Sequence, residues 1–216
     1  MNASLSSIPP TRIIVFAKAP RAGFAKTRLI PALGADGAAA LATRLLLHTL
    51  NEALHSNAGD VELCRTPLND PLWQTLPLPD GLQVTDQEGG DLGERLARAA
   101  HRSLRAGQPC ILIGTDCPML DAQALRELAL SLHSHDAVMS PASDGGYVAL
   151  GLRRFVPTLF TDMAWSTEVV AQDTLSRLAQ AGMSVQQMPV LHDIDEPADL
   201  RHLPQHWTQE PRHAHP

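Results

Sequence analysis

The chain of 216 residues has only three cysteines, Cys64, Cys110 and Cys117, and no C-x-x-C pair. That excludes the ligand spacing of a structural zinc site and the paired frame of a disulfide scaffold, and it points to a reducing cytoplasm. No uninterrupted apolar run approaches the ~18 residues of a membrane span, and the opening MNASLSSIPPTR lacks the basic-then-apolar order of a signal peptide. A soluble cytoplasmic protein with no membrane partner is therefore expected. Positive charge is not in excess either. The 17 Lys and Arg against 23 Asp and Glu give a net charge of −6, which disfavours nucleic acid as a partner and leaves small anions to local clusters of cations. Two phosphate-binding signatures are missing as well, the Walker A pattern G-x-x-x-x-G-K-[ST] and G-x-G-x-x-G.

What is present suits one α/β domain. With 44% hydrophobic residues the chain can bury a single substantial core. The domain is expected over residues 11–204, and residues 205–216, polar and Pro-bearing, read as a loosely held tail. The run Cys110-Ile-Leu-Ile is too short for a helix and suits a central parallel strand covered on both faces. Gly114 and Pro118 bracket its end, where it delivers Asp116. In an open α/β sheet the carboxyl ends of strands border the ligand crevice, so Asp116 either holds a hard cation there or simply orders the turn.

Other strands are expected over residues 11–18, 60–66, 82–85, 136–140, 147–152 and 183–191. Helices are expected over 37–55 with Asp36 as cap, from the Asp91/Glu94 capping box to about 105, and from an Asp121 cap to about 133. A fourth is expected to run to 181 with Ser166 or Thr167 as cap, and Pro197 opens a short one. The loop after the first strand, Ala19 to Leu29 with Gly23 as a breaker, brings four cations together in an acidic protein: Lys18, Arg21, Lys26 and Arg28. Such a loop wraps a polyphosphate with backbone N–H groups and charge-assisted contacts, or it is a solvated basic loop. After the third strand, Gly89 and Gly90 allow close backbone approach to a flat ligand. Asp144-Gly145-Gly146-Tyr147 places a carboxylate and bare backbone before a strand, which serves a substrate or a hairpin equally. Trp165 lines a pocket or packs. Asp193 and Asp195 alternate in an extended segment and so face one side together. With Asp116 they would complete a metal site, and three such carboxylates repel one another when no cation is bound.

Six blocks in order resemble the DUF2064 family of bacterial GT-A-type transferases, often labelled glycosyltransferases. They are FAKAPRAGFAKTRL (16–29), DLGERL (91–96), GTDCPML (114–120), SDGGYVALGL (143–152), WST (165–167) and DIDEPADL (193–200). More distantly the layout is similar to the nucleotidyltransferases that build molybdenum-cofactor dinucleotide or guanylate phospholactate. The resemblance implies a GT-A fold, a Rossmann-like, mostly parallel mixed sheet flanked by helices. It implies donor contacts from Lys18, Ala19, Gly23, Lys26 and Arg28, and base contacts from Gln87, Gly89 and Gly90. Asp116, Asp193 and Asp195 would hold Mg²⁺ or Mn²⁺, with Asp116, Lys26 and Arg28 acting on the transferred group. Asp144, Gly145, Gly146, Tyr147, Trp165, Ser166 and Thr167 would face a small-molecule acceptor. Asp116 stands in T-D-C-P and not in a D-x-D, so that strand end offers one carboxylate. Glycosyl transfer from a nucleotide sugar ranks first. Nucleotidyl transfer from a nucleoside triphosphate is the alternative, and a non-catalytic nucleotide-binding subunit is the third. Nothing in the pattern fixes an oligomeric state.

Overall fold

The structure is a computed structural model and describes residues 10–208. Seven strands form one sheet in the order β3-β2-β1-β4-β6-β5-β7. They are β1 (Arg12–Lys18), β2 (Val61–Thr66), β3 (Gln83–Asp86), β4 (Cys110–Ile113), β5 (Ala137–Pro141), β6 (Tyr147–Leu152) and β7 (Val185–Gln187). β1 pairs in parallel with both β2 and β4, and β6 lies antiparallel between β4 and β5. The sheet is mixed and mostly parallel, as expected.

Successive side chains of a strand point to opposite faces, and β1 uses both. Ile13 and Val15 enter one core with Leu46, Leu50, Ile111, Leu125 and Leu128, while Ile14 enters the other with Leu96, Leu112, Leu150 and Leu178. The first face is therefore covered by α1 (Ile30–His55) and α3 (Ala122–Ser131), the second by α2 (Leu92–Arg105) and α4 (Val170–Gln180). Both faces of the central strands are dry, which is why their sequences read as continuous apolar runs. Truncating fully buried Ile111 to Ala would cost about 2–5 kcal/mol.

Several boundaries differ from expectation for identifiable reasons. α1 begins at Ile30 with Pro31 in its first turn, and the backbone leaves helical geometry at Gly34 (φ 72°, ψ 167°), so Asp36 lies inside the run and does not cap it. The run Thr27–His55 is long and apolar enough to cross a membrane by length and composition, although no uninterrupted apolar stretch announced it. Its buried stripe, Leu45, Leu46, Leu50 and Ala53, is turned to the interior of this fold. Neither Ser166 nor Thr167 caps α4, which starts at Val170: Ser166 has a left-handed backbone (φ 62°), and the Thr167 hydroxyl donates backwards to the Ala164 carbonyl at 2.7 Å. β7 is shorter than the expected 183–191 segment, because Pro189 has no N–H for the ladder. The tail is not loose at its start. α5 (Gln205–Thr208) sets Trp207 under the Arg44 guanidinium at 4.5 Å and edge-on to His48 at 5.2 Å. Residues 209–216 lie outside the described residues.

Candidate functional site

The carboxyl end of β4 is held from two sides. On one, His48 of α1 hydrogen-bonds the Pro118 carbonyl at 2.9 Å, and Glu52 accepts from the Ala122 N–H at 2.8 Å. On the other, the chain after β7 runs beside the end of β5, with Leu191 N–H donating to Pro141 O at 3.0 Å and Ser143 N–H to Leu191 O at 2.9 Å. It then reaches Asp116, whose carbonyl accepts from Ile194 N–H at 2.8 Å. Ile194 is fully buried with Leu29, Ala38 and Leu45, which fixes its two neighbours, Asp193 and Asp195, at the mouth. The two acidic turns expected to meet do meet, and backbone hydrogen bonding is what joins them.

A lysine stands between the carboxylates. Lys26 occupies a left-handed backbone position (φ 47°, ψ 45°) at the end of the loop after β1. Its Nζ lies 2.6 Å from Asp116 Oδ1 and 2.7 Å from Asp195 Oδ1, and donates to Ile194 O at 2.6 Å. The Lys26 side chain is 8% exposed, against 45% and 40% for the two aspartate side chains. Burial alone would lower the Lys26 pKa, but Asp116 and Asp195 together outweigh it and raise it. Asp116 is pushed up by burial, pulled back by Lys26 and pushed up again by Asp195. The ammonium stays charged, because three acceptors enclose it while nearly half of the Asp116 side chain is open to screening water. Asp193 is pushed up to about 6 by burial, then by Asp144 and Asp195, and least by Asp116.

Where a three-aspartate metal site is expected, a lysine ammonium bridges two of the three aspartates. Among the described residues no three His, Cys, Asp or Glu side chains converge to enclose an ion, and the repulsion expected between Asp116 and Asp195 is relieved by Lys26. Lys26 itself, expected on donor phosphates, is here a counter-ion to carboxylates. Nothing local in the sequence announces this contact, since 169 residues separate Lys26 from Asp195. Asp144, placed on the acceptor side, is also electrostatically part of this acidic group through Asp193.

Of the other cations in the loop, Arg21 is engaged with Asp70 through bonds of 2.6 and 2.8 Å. Those bonds and the Leu72 N–H hold Asp70 below the usual carboxylate range. Lys18 and Arg28 are exposed, and neither is in an ion pair among the described residues. Ala19 is buried, its N–H continuing the β1–β2 pairing to Thr66 O, and Gly23 takes a positive φ of 82° in the exposed part of the loop.

Gln87 is turned into the fold. It is 5% exposed, and its amide N donates to Ala17 O at 3.0 Å and Cys64 O at 2.9 Å. Behind it, Arg98 donates to Gln87 O and Gly89 O, and Arg95 to Gly90 O, so α2 pins this loop from below. Of the two loop glycines, Gly89 looks onto open space, with nothing within 4 Å of where a Cβ would project, whereas a Cβ on Gly90 would meet the Glu94 side chain.

The Asp144 turn is the hairpin between β5 and β6. Gly145 (φ 90°) has its α-carbon against the Glu168 backbone, so close that a Cβ would overlap the carbonyl, and its own O accepts from Ala171 N–H at 2.9 Å. The Gly146 N–H donates to Asp144 Oδ1 at 2.8 Å. Trp165 packs into the α2/α4 core, its Nε1 2.8 Å from where a Gly93 Cβ would sit, and Ser166 and Thr167 follow it in the adjoining exposed turn. The Tyr147 hydroxyl is buried without a hydrogen-bond partner, and burial raises its pKa. Two surface depressions, one over Arg98, His101 and Arg105 and one over Leu41, Leu200 and Leu203, include none of the expected site residues.

A family model described as "Uncharacterized protein conserved in bacteria (DUF2064)" matches residues 49–167. None of the curated proteins matches the chain. Among solved structures, a protein from Desulfovibrio desulfuricans G20 named as a candidate nucleotide-diphospho-sugar transferase is similar at 29% identity and a TM-score of 0.84, over 93% of this chain and 89% of that one. Rv0371c of Mycobacterium tuberculosis H37Rv, solved in complex with manganese, shares the fold at 19% identity and a TM-score of 0.51, over 90% of this chain and 98% of its own. A CMP:2-keto-3-deoxy-manno-octonic acid synthetase complexed with CTP shares it at 13% identity and a TM-score of 0.55, over 93% of this chain and 100% of that one.

Proposed function

The chain belongs to the DUF2064 family, and from the geometry at the end of β4 we propose that it is a transferase whose donor is a nucleotide sugar. The observation that carries this reading is the cation already seated between Asp116 and Asp195, beside a loop whose Lys18 and Arg28 remain free of protein ion pairs among the described residues. Two available cations match a diphosphate. The similarity to the Desulfovibrio protein supports the donor class.

The residues present fit Mg²⁺ or Mn²⁺, since Asp116 and Asp195 are oxygen donors already holding a positive charge between them. With two carboxylates close and a third, Asp193, beside them, the ion would complete its shell from donor phosphates and water. When bound, it supplies charge to the departing nucleoside diphosphate. In this reading Lys18 and Arg28 hold the diphosphate by charge-assisted bonds, and Gly89 lets a base lie against bare backbone. Gln87, Arg95 and Arg98 keep that loop in place. The acceptor lies on the side of Asp144, Tyr147 and Trp165, where Gly145 and Gly146 shape the turn.

Nucleotidyl transfer from a nucleoside triphosphate is the second reading, and Lys26 favours it, because its release would add a third cation to the loop. A thermal-shift panel of nucleotide sugars and nucleoside triphosphates, with and without Mg²⁺ or Mn²⁺, identifies the donor. A ligand at one hundred times its Kd raises stability by about 2.7 kcal/mol. Release of nucleoside diphosphate then supports glycosyl transfer, and release of pyrophosphate supports the alternative. If no member of the panel shifts the melting temperature, the chain is not a nucleotide-using transferase.

A further inference from the structure

Lys26 and a divalent cation would compete for Asp116 Oδ1 and Asp195 Oδ1. The ammonium lies 2.6 and 2.7 Å from the same two oxygens that a metal would need at about 2.0–2.2 Å, and two cations so close repel strongly. We propose that Lys26 is a resident counter-ion which the divalent cation must displace, and that the displaced ammonium is received by the phosphates of the ligand that enters with the metal. Cation and anion then bind as a coupled pair, each weak alone.

The local structure suits such an exchange. The Lys26 side chain is a flexible four-carbon stem carrying a compact charge, rooted at the end of a loop that is exposed from Arg21 to Phe24, with Phe24 itself 80% exposed. The loop's anchor, Arg21 on Asp70, lies five residues before Lys26 and need not break when the stem swings. Ile194 O, the third acceptor, gives up the ammonium, but the Ile194 N–H keeps its bond to Asp116 O and holds the turn in place. Lys18 at the end of β1 and Arg28 just after Lys26 are both exposed, so in the proposed exchange the anion meets three cations in the exchanged state and two in the resting one.

The proposal rests on reading Asp116 and Asp195 as cation ligands, and it is tested without turnover. Mn²⁺ binding is followed by electron paramagnetic resonance for the wild type, Lys26→Met, and Lys26→Met combined with Asp116→Asn, with and without pyrophosphate as the probe anion. Without anion, Lys26→Met is expected to bind Mn²⁺ at least about tenfold more tightly than the wild type, and the second substitution to abolish the gain. Pyrophosphate is expected to tighten Mn²⁺ in the wild type and to do so much less in Lys26→Met. A second measurement on the wild type alone covers the case in which Lys26→Met fails to fold. Reductive methylation of Lys26, read by peptide mass, should be slow in the free protein and accelerate when Mn²⁺ is added.

Mn²⁺ affinity in Lys26→Met no tighter than in the wild type, a gain that survives Asp116→Asn, or methylation indifferent to Mn²⁺ would each overturn the exchange. The transferase reading fails separately. If the nucleotide panel is silent while Lys26→Met still gains Mn²⁺ affinity, the exchange stands and the donor assignment falls.

Discussion

Replacing Lys26 by Met should destabilise the metal-free protein. The substitution keeps most of the stem and removes the charge that joins the loop after β1 to the two acidic turns. Three bonds of 2.6–2.7 Å are lost. Bonds to charged groups contribute about 1.5–3 kcal/mol each, and a buried acceptor left without a donor costs about 1–3 kcal/mol. The sum overstates the loss, because Asp116 and Asp195 are 45% and 40% exposed and water can take over much of the ammonium's role. What remains is the unpaired Ile194 carbonyl and the exposed repulsion of two carboxylates, together about 2 kcal/mol. For a chain of this size that is a fall in melting temperature of about 4–8 °C, measurable by calorimetry without added metal. Asp195→Asn in the Lys26→Met background should recover part of it by removing the repulsion. A melting temperature unchanged to within about 1 °C would mean that the lysine does not bridge the carboxylates in solution.

Other substitutions test the surrounding assignments. Gly145→Ala should cost about 2–4 kcal/mol, because it strains a residue at φ 90° and drives a methyl into the Glu168 carbonyl; urea unfolding with wild-type stability would show that the turn and α4 are not in contact. Gln87→Ala should cost about 1–3 kcal/mol, by leaving Ala17 O and Cys64 O short of a donor. Loss of nucleotide affinity with unchanged stability would instead return Gln87 to the ligand. Asp136 is held below its usual pKa by the Ser184 N–H and then the Ser184 hydroxyl, so it adds stability above the unfolded carboxylate pKa of about 3.9 that is lost as pH falls through the lower folded value. Asp136→Asn should therefore lower the melting temperature at pH 7 and leave a smaller further drop below about pH 4; parallel pH curves for variant and wild type would refute it.

Local chemistry in the sequence carried much of the fold. The Asp91/Glu94 capping box and the Asp121 cap form as the residue types require, with bonds of 2.8 Å from Glu94 N–H and from Ala124 N–H. Cys110–Ile113 is the central buried strand, and it delivers Asp116 to the edge that Asp193 and Asp195 also reach. The β5–β6 hairpin was one of two readings left open at Asp144–Gly146, but the insertion of β6 between β4 and β5 was not legible, because a strand buried on both faces, as Val148 to Leu152 is, has the same apolar pattern in either direction. Helix entry at Ser166 and Thr167 was misread, since both types also make turn bonds outside helices, as Thr167 does with Ala164. At the site, pairs of aspartates could be placed by strand ends, but the partner of those aspartates could not. Lys26 sits in a motif that reads equally well as a phosphate loop, and only its left-handed backbone and the arrival of the chain at Ile194 turn its ammonium inward.

The central claim is that Asp116 serves a cation at the donor phosphates, and the most direct measurement is divalent-metal titration of donor-dependent nucleoside diphosphate release in wild type and Asp116→Asn. The side chain keeps its shape, and circular dichroism checks that the fold is retained. Activity at saturating donor should fall by at least about a hundredfold, with the half-saturating Mg²⁺ or Mn²⁺ concentration moved upward. Wild-type turnover with an unchanged metal midpoint in Asp116→Asn would contradict the account and leave Asp116 as no more than the residue that ends β4.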